Sequence, residues 1–223
     1  MNAVFVVFDF DGTLADSRLA FLDIINRLAD EFGYQPVSNE EADKMRRLSS
    51  KEIVQQSKVP PVKIPFLLRK LKRELSKEIV DILPIPGIET TLRELKDCGF
   101  ELGILTSNLT ENVNAFLVKN NLQNLFTFVY SENNLFGKDK ALKKVFKRHE
   151  IAPENSIYVG DETRDIEAAR KMKVQCIAVS WGFNAKDALA RHQPDFLVDD
   201  PQELIRVIQS VDDASRLREV SRE

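Results

Sequence analysis

The sequence predicts an α/β fold, with a Rossmann-like parallel sheet as its core and an all-helical domain inserted after the first strand. Five continuous apolar, β-rich segments and a weaker sixth alternate with segments of helical periodicity. Continuous apolar strands are typical of parallel sheets that are buried on both faces, and the strand–helix alternation indicates right-handed βαβ units. One long stretch after the first strand contains only helical patterns, and this observation predicts the insertion.

The predicted strands lie where β-branched and aromatic residues form short uninterrupted runs. We expect them at residues 3–8, 101–106, 126–130, 156–160 and 175–179, with a weaker one at 195–198. Between them, apolar residues recur at helical spacing, as in Leu92 and Leu95, which precede Gly99, a residue type that commonly ends helices. Ligands of such sheets bind at the carboxyl ends of the strands, so we searched those positions for functional residues.

Residues 16–83 contain no convincing strand and predict a helical cap. Apolar residues recur at helical spacing in a stripe that runs from Ile64 to Ile79. Ser38 and Ser49 each lie three residues before a glutamate, which is the capping-box pattern of helix starts. The chain returns to the core near Pro84. We therefore assign residues 1–15 and 84–212 to the core, residues 16–83 to the cap, and residues 213–223 to a polar tail that is expected to fray.

The composition of the chain argues against several classes of protein, namely nucleic-acid-binding, membrane-spanning and secreted proteins. The chain has 43% hydrophobic and 30% charged residues and a net charge of −3, so its charge gives no reason to expect nucleic acid as a partner. No apolar run approaches the ~18 residues that span a bilayer, and the N-terminus lacks the features of a secretory signal. Two distant cysteines, Cys98 and Cys176, are typical of reduced thiols in a cytoplasmic protein. We expect a cytoplasmic monomer or homodimer without nucleic-acid or membrane partners.

Two carboxylates directly follow the first predicted strand, in the segment Asp9-Phe10-Asp11-Gly12-Thr13. Because the chain can turn at the end of a strand, Asp9 can face a phosphorus atom while Asp11 faces the oxygen that leaves or attacks. Gly12 allows a close approach of the backbone. Asp-Gly is also a common turn pair, so a solvated turn is the alternative for this segment alone.

Polar side chains follow the other predicted strands as well. The second strand ends with hydroxyl and amide groups, in Thr106, Ser107 and Asn108. Helix capping is the alternative role for Asn108. A lysine, Lys138, begins the next helical pattern, with Lys140 as a rival for any role. The fourth strand ends with two carboxylates four residues apart, Asp161 and Asp165, an arrangement that can hold a hard cation.

Together these groups predict phosphoryl transfer with Mg²⁺ as the cofactor. Carboxylates that face one another repel unless a divalent cation joins them, and Mg²⁺ prefers oxygen ligands. A dianionic phosphoryl group would be neutralised by that metal, by the lysine and by backbone N–H groups. The chain has only two histidines, His149 and His192, which argues against a histidine-based zinc site and against a serine–histidine triad.

These segments, in this order, resemble the four motifs of the haloacid dehalogenase superfamily, and the chain is similar to its phosphoglycolate phosphatase-like branch. The resemblance covers nearly the whole chain, including the cap. It implies that Asp9 is the nucleophile and a metal ligand, and that Asp11 is the general acid/base and a ligand through its backbone carbonyl. It also implies that Asp161 completes the metal site, with Asp165 as an outer or secondary ligand.

The resemblance further implies phosphoryl-binding roles for Thr106 and Lys138, with Thr13, Ser107 and Asn108 as additional substrate-binding candidates. Many relatives have Lys-Pro at the third motif, whereas this chain has Lys138-Asp139. Without proline the loop is less fixed, so the choice between Lys138 and Lys140 is left open.

The predicted cap carries an excess of basic residues. Between Lys44 and Lys77 there are eleven lysines and arginines against two glutamates. Solvated helix faces account for most of them, and an electropositive lid that attracts anionic substrates is the alternative. Arg46 and Arg47 lie beside a predicted helix start and are candidates for contact with the substrate.

The predicted function is a Mg²⁺-dependent phosphatase that hydrolyses a small anionic phosphate monoester, such as phosphoglycolate, through an aspartyl-phosphate intermediate. A sugar-phosphate phosphomutase would use the same residues and is one alternative. A non-catalytic binding protein with the same fold is the other. The fold and the core chemistry by themselves do not identify the substrate.

Overall fold

Six strands lie in the described residues, 4–57, 59–132 and 137–220, of this computed structural model. They are β1 (Phe5–Phe8), β2 (Glu101–Thr106), β3 (Phe126–Ser131), β4 (Ser156–Gly160), β5 (Gln175–Val179) and β6 (Phe196–Val198). All six pair in parallel, in the order β3-β2-β1-β4-β5-β6. The predicted parallel sheet is confirmed, and the expected start of β1 at Ala3 lies outside the described residues. Because β1 is central, its carboxyl end lies between those of β2 and β4.

Helices connect these strands and cover both faces of the sheet. The insertion between β1 and β2 begins with α1 (Arg18–Phe32), α2 (Asn39–Met45), α3 (Ser50–Gln56) and α4 (Ile64–Glu78). The remaining helices are α5 (Ile88–Asp97), α6 (Thr110–Lys119), α7 (Lys138–His149), α8 (Thr163–Met172), α9 (Lys186–Arg191) and α10 (Pro201–Val220). Helices therefore follow strands in the way that a doubly wound α/β fold requires.

Alternate residues of the central strand point into two separate apolar clusters. On β1, Val6 and Phe8 belong to one cluster, together with residues of α5, α6 and α10, whereas Val7 belongs to the cluster that contains residues of α7 and α8. The clusters alternate because successive side chains of a strand point to opposite faces of the sheet. Because both faces of the sheet are buried, the sequences of its strands are continuous apolar runs.

The insertion forms a helical cap whose two long helices pack against each other. Leu71 and Leu75 of α4 are buried and belong to the same apolar cluster as Ile24 and Leu28 of α1. The short helices α2 and α3 each begin with the predicted capping box, because the side chains of Ser38 and Ser49 accept from the backbone of the third residue of the helix.

Two short backbone segments connect the cap to the core and run beside each other. The N–H of Ile85 donates to the carbonyl of Leu14 at 2.9 Å, and the N–H of Asp16 donates to the carbonyl of Leu83 at 2.9 Å. Both cap connections therefore pass through one paired crossing next to the end of β1.

The C-terminal end of the chain differs from the expected frayed tail. Helix α10 continues past Asp212 to Val220, and residues 221–223 lie outside the described part. In the described residues the helix therefore extends beyond the boundary at residue 213 where we expected fraying to begin, and Val211 and Asp212 next to that boundary are buried. None of the described helices is both long and apolar enough to span a membrane.

Candidate active site

Three buried carboxylates meet at the carboxyl edge of the sheet. Asp9 follows β1, Asp161 follows β4, and Asp165 lies in the first turn of α8. One ligand oxygen from each lies within 4.8 Å of the others. The parallel order of the strands explains this meeting, because it brings the ends of β1 and β4 next to each other. The structure therefore brings together three of the predicted metal ligands.

The carboxylate of Asp9 is held by two donors. The N–H of Phe10 donates to its Oδ1 at 2.8 Å, and the ammonium of Lys138 donates to its Oδ2 at 2.5 Å. Lys138 also forms an ion pair with Asp165. Lys138 is buried at the start of α7, whereas Lys140 is exposed. The geometry thus favours Lys138 over its rival, since only Lys138 contacts the carboxylates of the site.

Asp161 is oriented from two sides. Its Oδ1 accepts from the hydroxyl of Thr13 at 2.7 Å, and its Oδ2 accepts from the N–H of Phe183 at 2.7 Å. A Cβ atom at either Gly12 or Gly182 would collide with this carboxylate. Both glycines are therefore required for the close approach of the backbone. Thr13, which we predicted to bind substrate, contacts a carboxylate of the cluster.

Asp165 is fixed by the start of its own helix. Its Oδ2 accepts from the N–H of Glu162 at 2.9 Å, while its Oδ1 receives the ammonium of Lys138. Arg164, in the same turn, forms an ion pair with Glu162. A positive guanidinium therefore lies beside the acidic cluster without being part of it.

Asp11 stands apart from the three clustered carboxylates and is held by Asn108. The amide of Asn108 donates to both carboxylate oxygens of Asp11, at 3.2 and 3.0 Å. Burial raises the pKa of Asp11 to about 7, and the negative charge of Asp9 adds to this effect. A carboxyl group with a pKa near 7 can both donate and accept a proton near neutral pH.

The electrostatics of the cluster fit a hard divalent cation. Burial raises the pKa of Asp9 to about 6 against the opposing charge of Lys138, and burial together with neighbouring carboxylates raises the pKa of Asp161. One ammonium does not compensate for three buried carboxylates, and a dication would stabilise their charged forms. The cluster contains only oxygen ligands, which are the ligands that cations such as Mg²⁺ and Ca²⁺ prefer.

The end of β2 supplies the remaining predicted groups of the core. The hydroxyl of Thr106 is buried and accepts from the N–H of Asn108 at 2.9 Å, and Ser107 is half-buried beside it. Asn108 does not act as the N-cap of α6, because the N-cap residue is Leu109. Its Oδ1 instead accepts from the amide of Asn112 at 2.8 Å, so a chain of two amides holds Asp11.

The two cap arginines have protein partners in the structure. The guanidinium of Arg46 donates to backbone carbonyls in the loop after β5, including Gly182 at 3.2 Å and Phe183 at 3.3 Å. Arg47 is largely exposed and lies 3.8 Å from the carboxylate of Asp187. Arg46 therefore connects the cap with the core, and Arg47 lies in a surface ion pair.

Sequence reasoning missed three features of this site. They are the role of Asn108 as the partner of Asp11, the partly buried ion pair of Arg164 with Glu162, and the loop around Phe183 and Asn184. The loop could have been found, because residues 180–184 directly follow β5 and the same strand-end rule applies to them. The partner of Asp11 carried no such signal, since it depends on side-chain directions.

Comparisons with known proteins agree with this geometry. Residues 6–179 match the model of the haloacid dehalogenase-like hydrolase family. A phosphoglycolate phosphatase of Synechococcus elongatus is 36% identical over 91% of this chain and 96% of that protein. A pyrophosphatase of Bacillus cereus is 25% identical over 92% of this chain and 96% of that protein.

Solved structures show the same fold. A crystal structure described as a predicted phosphatase from Clostridium acetobutylicum has a TM-score of 0.80 and 22% identity, and the match covers 94% of this chain and all of that one. A haloacid dehalogenase-like hydrolase from Streptococcus pneumoniae has a TM-score of 0.78 over 92% of this chain and 98% of that one. The carboxylate site, the family match and the shared fold agree, and the chain belongs to the haloacid dehalogenase-like hydrolases.

Proposed function

We propose that this hydrolase is a Mg²⁺-dependent phosphatase that hydrolyses a small phosphate monoester, with phosphoglycolate as the favoured substrate. One observation carries the proposal. The carboxylate of Asp9 lies at the end of the central strand, held by Lys138 and by the N–H of Phe10, beside Asp161 and Asp165. The names of several relatives, phosphoglycolate phosphatase, support the reaction and the substrate.

In the first half of the reaction, an oxygen of Asp9 attacks the phosphorus atom in line with the leaving oxygen. A bond forms between that carboxylate and phosphorus, and the bond from phosphorus to the leaving oxygen breaks. Protonated Asp11 donates its proton to the leaving oxygen, which is possible near neutral pH because the pKa of Asp11 is about 7. The products of this half are the free alcohol and an aspartyl phosphate on Asp9.

In the second half, the Asp11 carboxylate accepts a proton from a water molecule as that water attacks phosphorus. The bond between phosphorus and Asp9 breaks, inorganic phosphate leaves, and both carboxyl groups return to their starting states. Asn108 keeps Asp11 in place through both halves, since its amide contacts both carboxylate oxygens. Removal of this amide would leave the general acid/base free to rotate.

Charge at the phosphoryl group is balanced by groups of the core. Mg²⁺ held by Asp9, Asp161 and the carbonyl of Asp11 would neutralise the phosphoryl oxygens, with Asp165 as an outer ligand. Burial alone would lower the pKa of Lys138, but the charges of Asp165 and Asp9 outweigh burial and raise it, so its ammonium stays charged. Lys138 is then available to bind the transferring phosphoryl group, and the hydroxyl of Thr106 lies at the end of the neighbouring strand.

A lysine of the cap, Lys72, supports the proposal that the substrate carries a second negative group. Lys72 of α4 is half-buried, and its ammonium forms no hydrogen bond or ion pair with any residue in the described parts of the chain. It lies close enough to Arg164 and Asp11 for their charges to influence its pKa. Phosphoglycolate and pyrophosphate, the substrates in the names of the relatives, both carry an anionic group next to the phosphoryl group that is transferred. Lys72 is therefore our candidate for recognition of that group.

The test is a phosphate-release screen with the purified chain. The panel includes phosphoglycolate, pyrophosphate, sugar phosphates and an aryl phosphate whose aryl group carries no charge, each with Mg²⁺ and with EDTA. We expect Mg²⁺-dependent release that is fastest with phosphoglycolate. Conversion of a sugar phosphate into its isomer without phosphate release would identify a phosphomutase instead. Absence of turnover on every compound, with intact folding, would favour the non-catalytic alternative.

A further inference from the structure

The loop at residues 180–185, between β5 and α9, contacts the carboxylate cluster on one of its sides. The N–H of Phe183 donates to Oδ2 of Asp161 at 2.7 Å, and the N–H of Asn184 donates to the backbone carbonyl of Asp161 at 3.3 Å. A Cβ atom at Gly182 would collide with the same carboxylate. The position of this loop therefore decides how Asp161 is oriented.

On its other side the same loop holds the cap. The side-chain amide of Asn184 donates to the carbonyl of Arg46 at 2.9 Å and to the carbonyl of Leu48 at 2.8 Å. The N–H of Ala185 donates to the carbonyl of Arg46 at 2.8 Å. In return, the guanidinium of Arg46 donates to the carbonyls of Gly182 and Phe183. These contacts join the cap segment between α2 and α3 to the core.

Asn184 stands at the centre of these contacts. Its side chain is buried, and both its donor and its acceptor group are used. While the amide nitrogen contacts the cap, Oδ1 accepts from the N–H of Thr163 at 2.9 Å. Thr163 is the first residue of α8, the helix that carries Asp165. One buried side chain thus joins the cap, the loop that orients Asp161, and the helix of Asp165.

We propose that Asn184 is a positioning residue that couples closure of the cap to the geometry of Asp161, and thereby to metal binding. If the cap moves away, the amide of Asn184 loses two carbonyl acceptors, and Arg46 releases the loop carbonyls. The loop is then free to shift, and Asp161 loses its fixed donor from Phe183. The inference rests on the proposed role of Asp161 as a metal ligand.

Coupling of this kind is reciprocal. If cap closure improves the geometry of Asp161 for Mg²⁺, then bound Mg²⁺ must favour the closed cap by the same factor. The consequence can be measured without any substrate. Arg47 lies in this cap segment and Lys51 lies in the first turn of α3, and trypsin can cleave after both when this part of the cap leaves the core. Mg²⁺ should slow this cleavage in the wild-type chain.

The experiment measures Mg²⁺ affinity by calorimetry and the rate of tryptic cleavage at Arg47 and Lys51, with and without Mg²⁺. We expect Asn184→Ala to weaken Mg²⁺ binding by about 5-fold or more and to abolish the protection by Mg²⁺. Asn120→Ala is the matched control, because that asparagine also donates to a backbone carbonyl, that of Phe116 one turn earlier in the chain, and not to the cap segment between α2 and α3. Asn120→Ala should leave affinity and protection unchanged.

A second variant, Arg46→Ala, tests the coupling from the side of the cap. It also keeps the coupling testable if Asn184→Ala fails to fold. Arg46 is a cation near enough to Asp161 for their charges to interact. By charge alone, Arg46→Ala should strengthen binding of a dication. The coupling predicts the opposite, because the loop that orients Asp161 loses the guanidinium that holds its carbonyls. We expect weaker Mg²⁺ binding and lost protection in Arg46→Ala as well.

The outcomes separate this inference from the proposed function. A wild-type chain that binds no Mg²⁺ would overturn the proposed metal role and the coupling together. If the wild type binds Mg²⁺ but Arg46→Ala and folded Asn184→Ala keep its affinity and its protection, the coupling alone is overturned. Tighter Mg²⁺ binding by Arg46→Ala would likewise contradict the coupling, since it would show that only charge acts between the cap and the metal site.

Discussion

The ammonium of Lys138 lies 2.5 Å from Oδ2 of Asp9, across a sequence separation of 129 residues. This contact places the proposed nucleophile beside a fixed positive charge that the same ammonium shares with Asp165. A buried ion pair with one partner removed leaves the other charge uncompensated, which is strongly destabilising. Removal of the ammonium should therefore lower both stability and activity, whereas removal of the charge of Asp9 leaves the ammonium paired with Asp165.

Replacement of the nucleophile should abolish turnover while preserving the fold. Asp9→Asn keeps the volume of the side chain and its acceptor for the N–H of Phe10, but removes the attacking charge. We expect phosphate release to fall by about 10³-fold or more. The measurement is the steady-state rate on phosphoglycolate, with circular dichroism as the check on folding. A folded variant with substantial turnover would contradict the covalent mechanism.

Replacement of the two rival lysines should separate their roles. Lys138→Met leaves Asp9 and Asp165 without their ammonium, so we expect loss of activity by about 10²-fold or more together with a lower melting temperature. Lys140→Met is the matched control, because Lys140 is exposed on the same helix. We expect the control to keep wild-type activity and stability. Equal losses in both variants would return the assignment of the phosphoryl-binding lysine to an open question.

Without metal, the stability of the chain should decrease as the pH rises toward neutral. The folded-state pKa values of Asp9 and Asp11, about 6 and about 7, lie above the ordinary value of 3.8. The folded state therefore binds more protons than the unfolded state between about pH 4 and about pH 7, and the free energy of unfolding falls across that window. The measurement is a series of melting temperatures in EDTA, from about pH 5 to about pH 7.5. A rise in stability across this window would contradict the raised pKa values.

Addition of Mg²⁺ should reverse this trend. Protons compete with the metal for the same carboxylates, so Mg²⁺ should raise the melting temperature more at about pH 7.5 than at about pH 5. Asp161→Asn keeps an acceptor for the N–H of Phe183 but removes a buried charge. We expect this variant to lose most of the stabilisation by Mg²⁺ without loss of stability in EDTA. An unchanged response to Mg²⁺ would exclude Asp161 as a ligand.

Recognition of the second anionic group should depend on Lys72. Lys72→Met removes the half-buried cation of α4, and we expect kcat/KM for phosphoglycolate to fall by about 10-fold or more, the effect of one charge-assisted hydrogen bond. Turnover of an aryl phosphate with an uncharged aryl group should barely change, because that compound has no anionic group besides its phosphate. The control is Lys77→Met on the same helix, since Lys77 is exposed and pairs with Glu74.

Three results of the Lys72→Met experiment would contradict a direct contact between Lys72 and the second anionic group. Equal losses on both substrates would indicate a disturbed cap rather than a lost contact. A difference that disappears at high salt would indicate long-range attraction instead of a direct, desolvated contact. No loss on either substrate would return Lys72 to the solvated-face interpretation of the basic cap.

The sequence by itself determined the order of strands and helices and the position of the insertion. Short, continuous, β-rich apolar runs are typical of strands that are buried on both faces. The capping boxes at Ser38 and Ser49 depend only on neighbouring residues. The strand-end rule also found Asp9, Thr106 and Asp161 before any distance was known, because parallel strands bring their carboxyl ends to one edge.

Only the tertiary structure decided which side chains meet at that edge. Three contacts depend on the direction in which each side chain leaves the backbone. They are those of Lys138 with Asp9, of the Asn108 amide with Asp11, and of Arg46 with the loop around Phe183. The extension of α10 past Asp212 was not expected from its polar sequence, whereas the burial of Val211 in the apolar core depends on packing. Local sequence specifies where a residue lies in its strand or helix, whereas its partners are set by contacts between residues far apart in the chain.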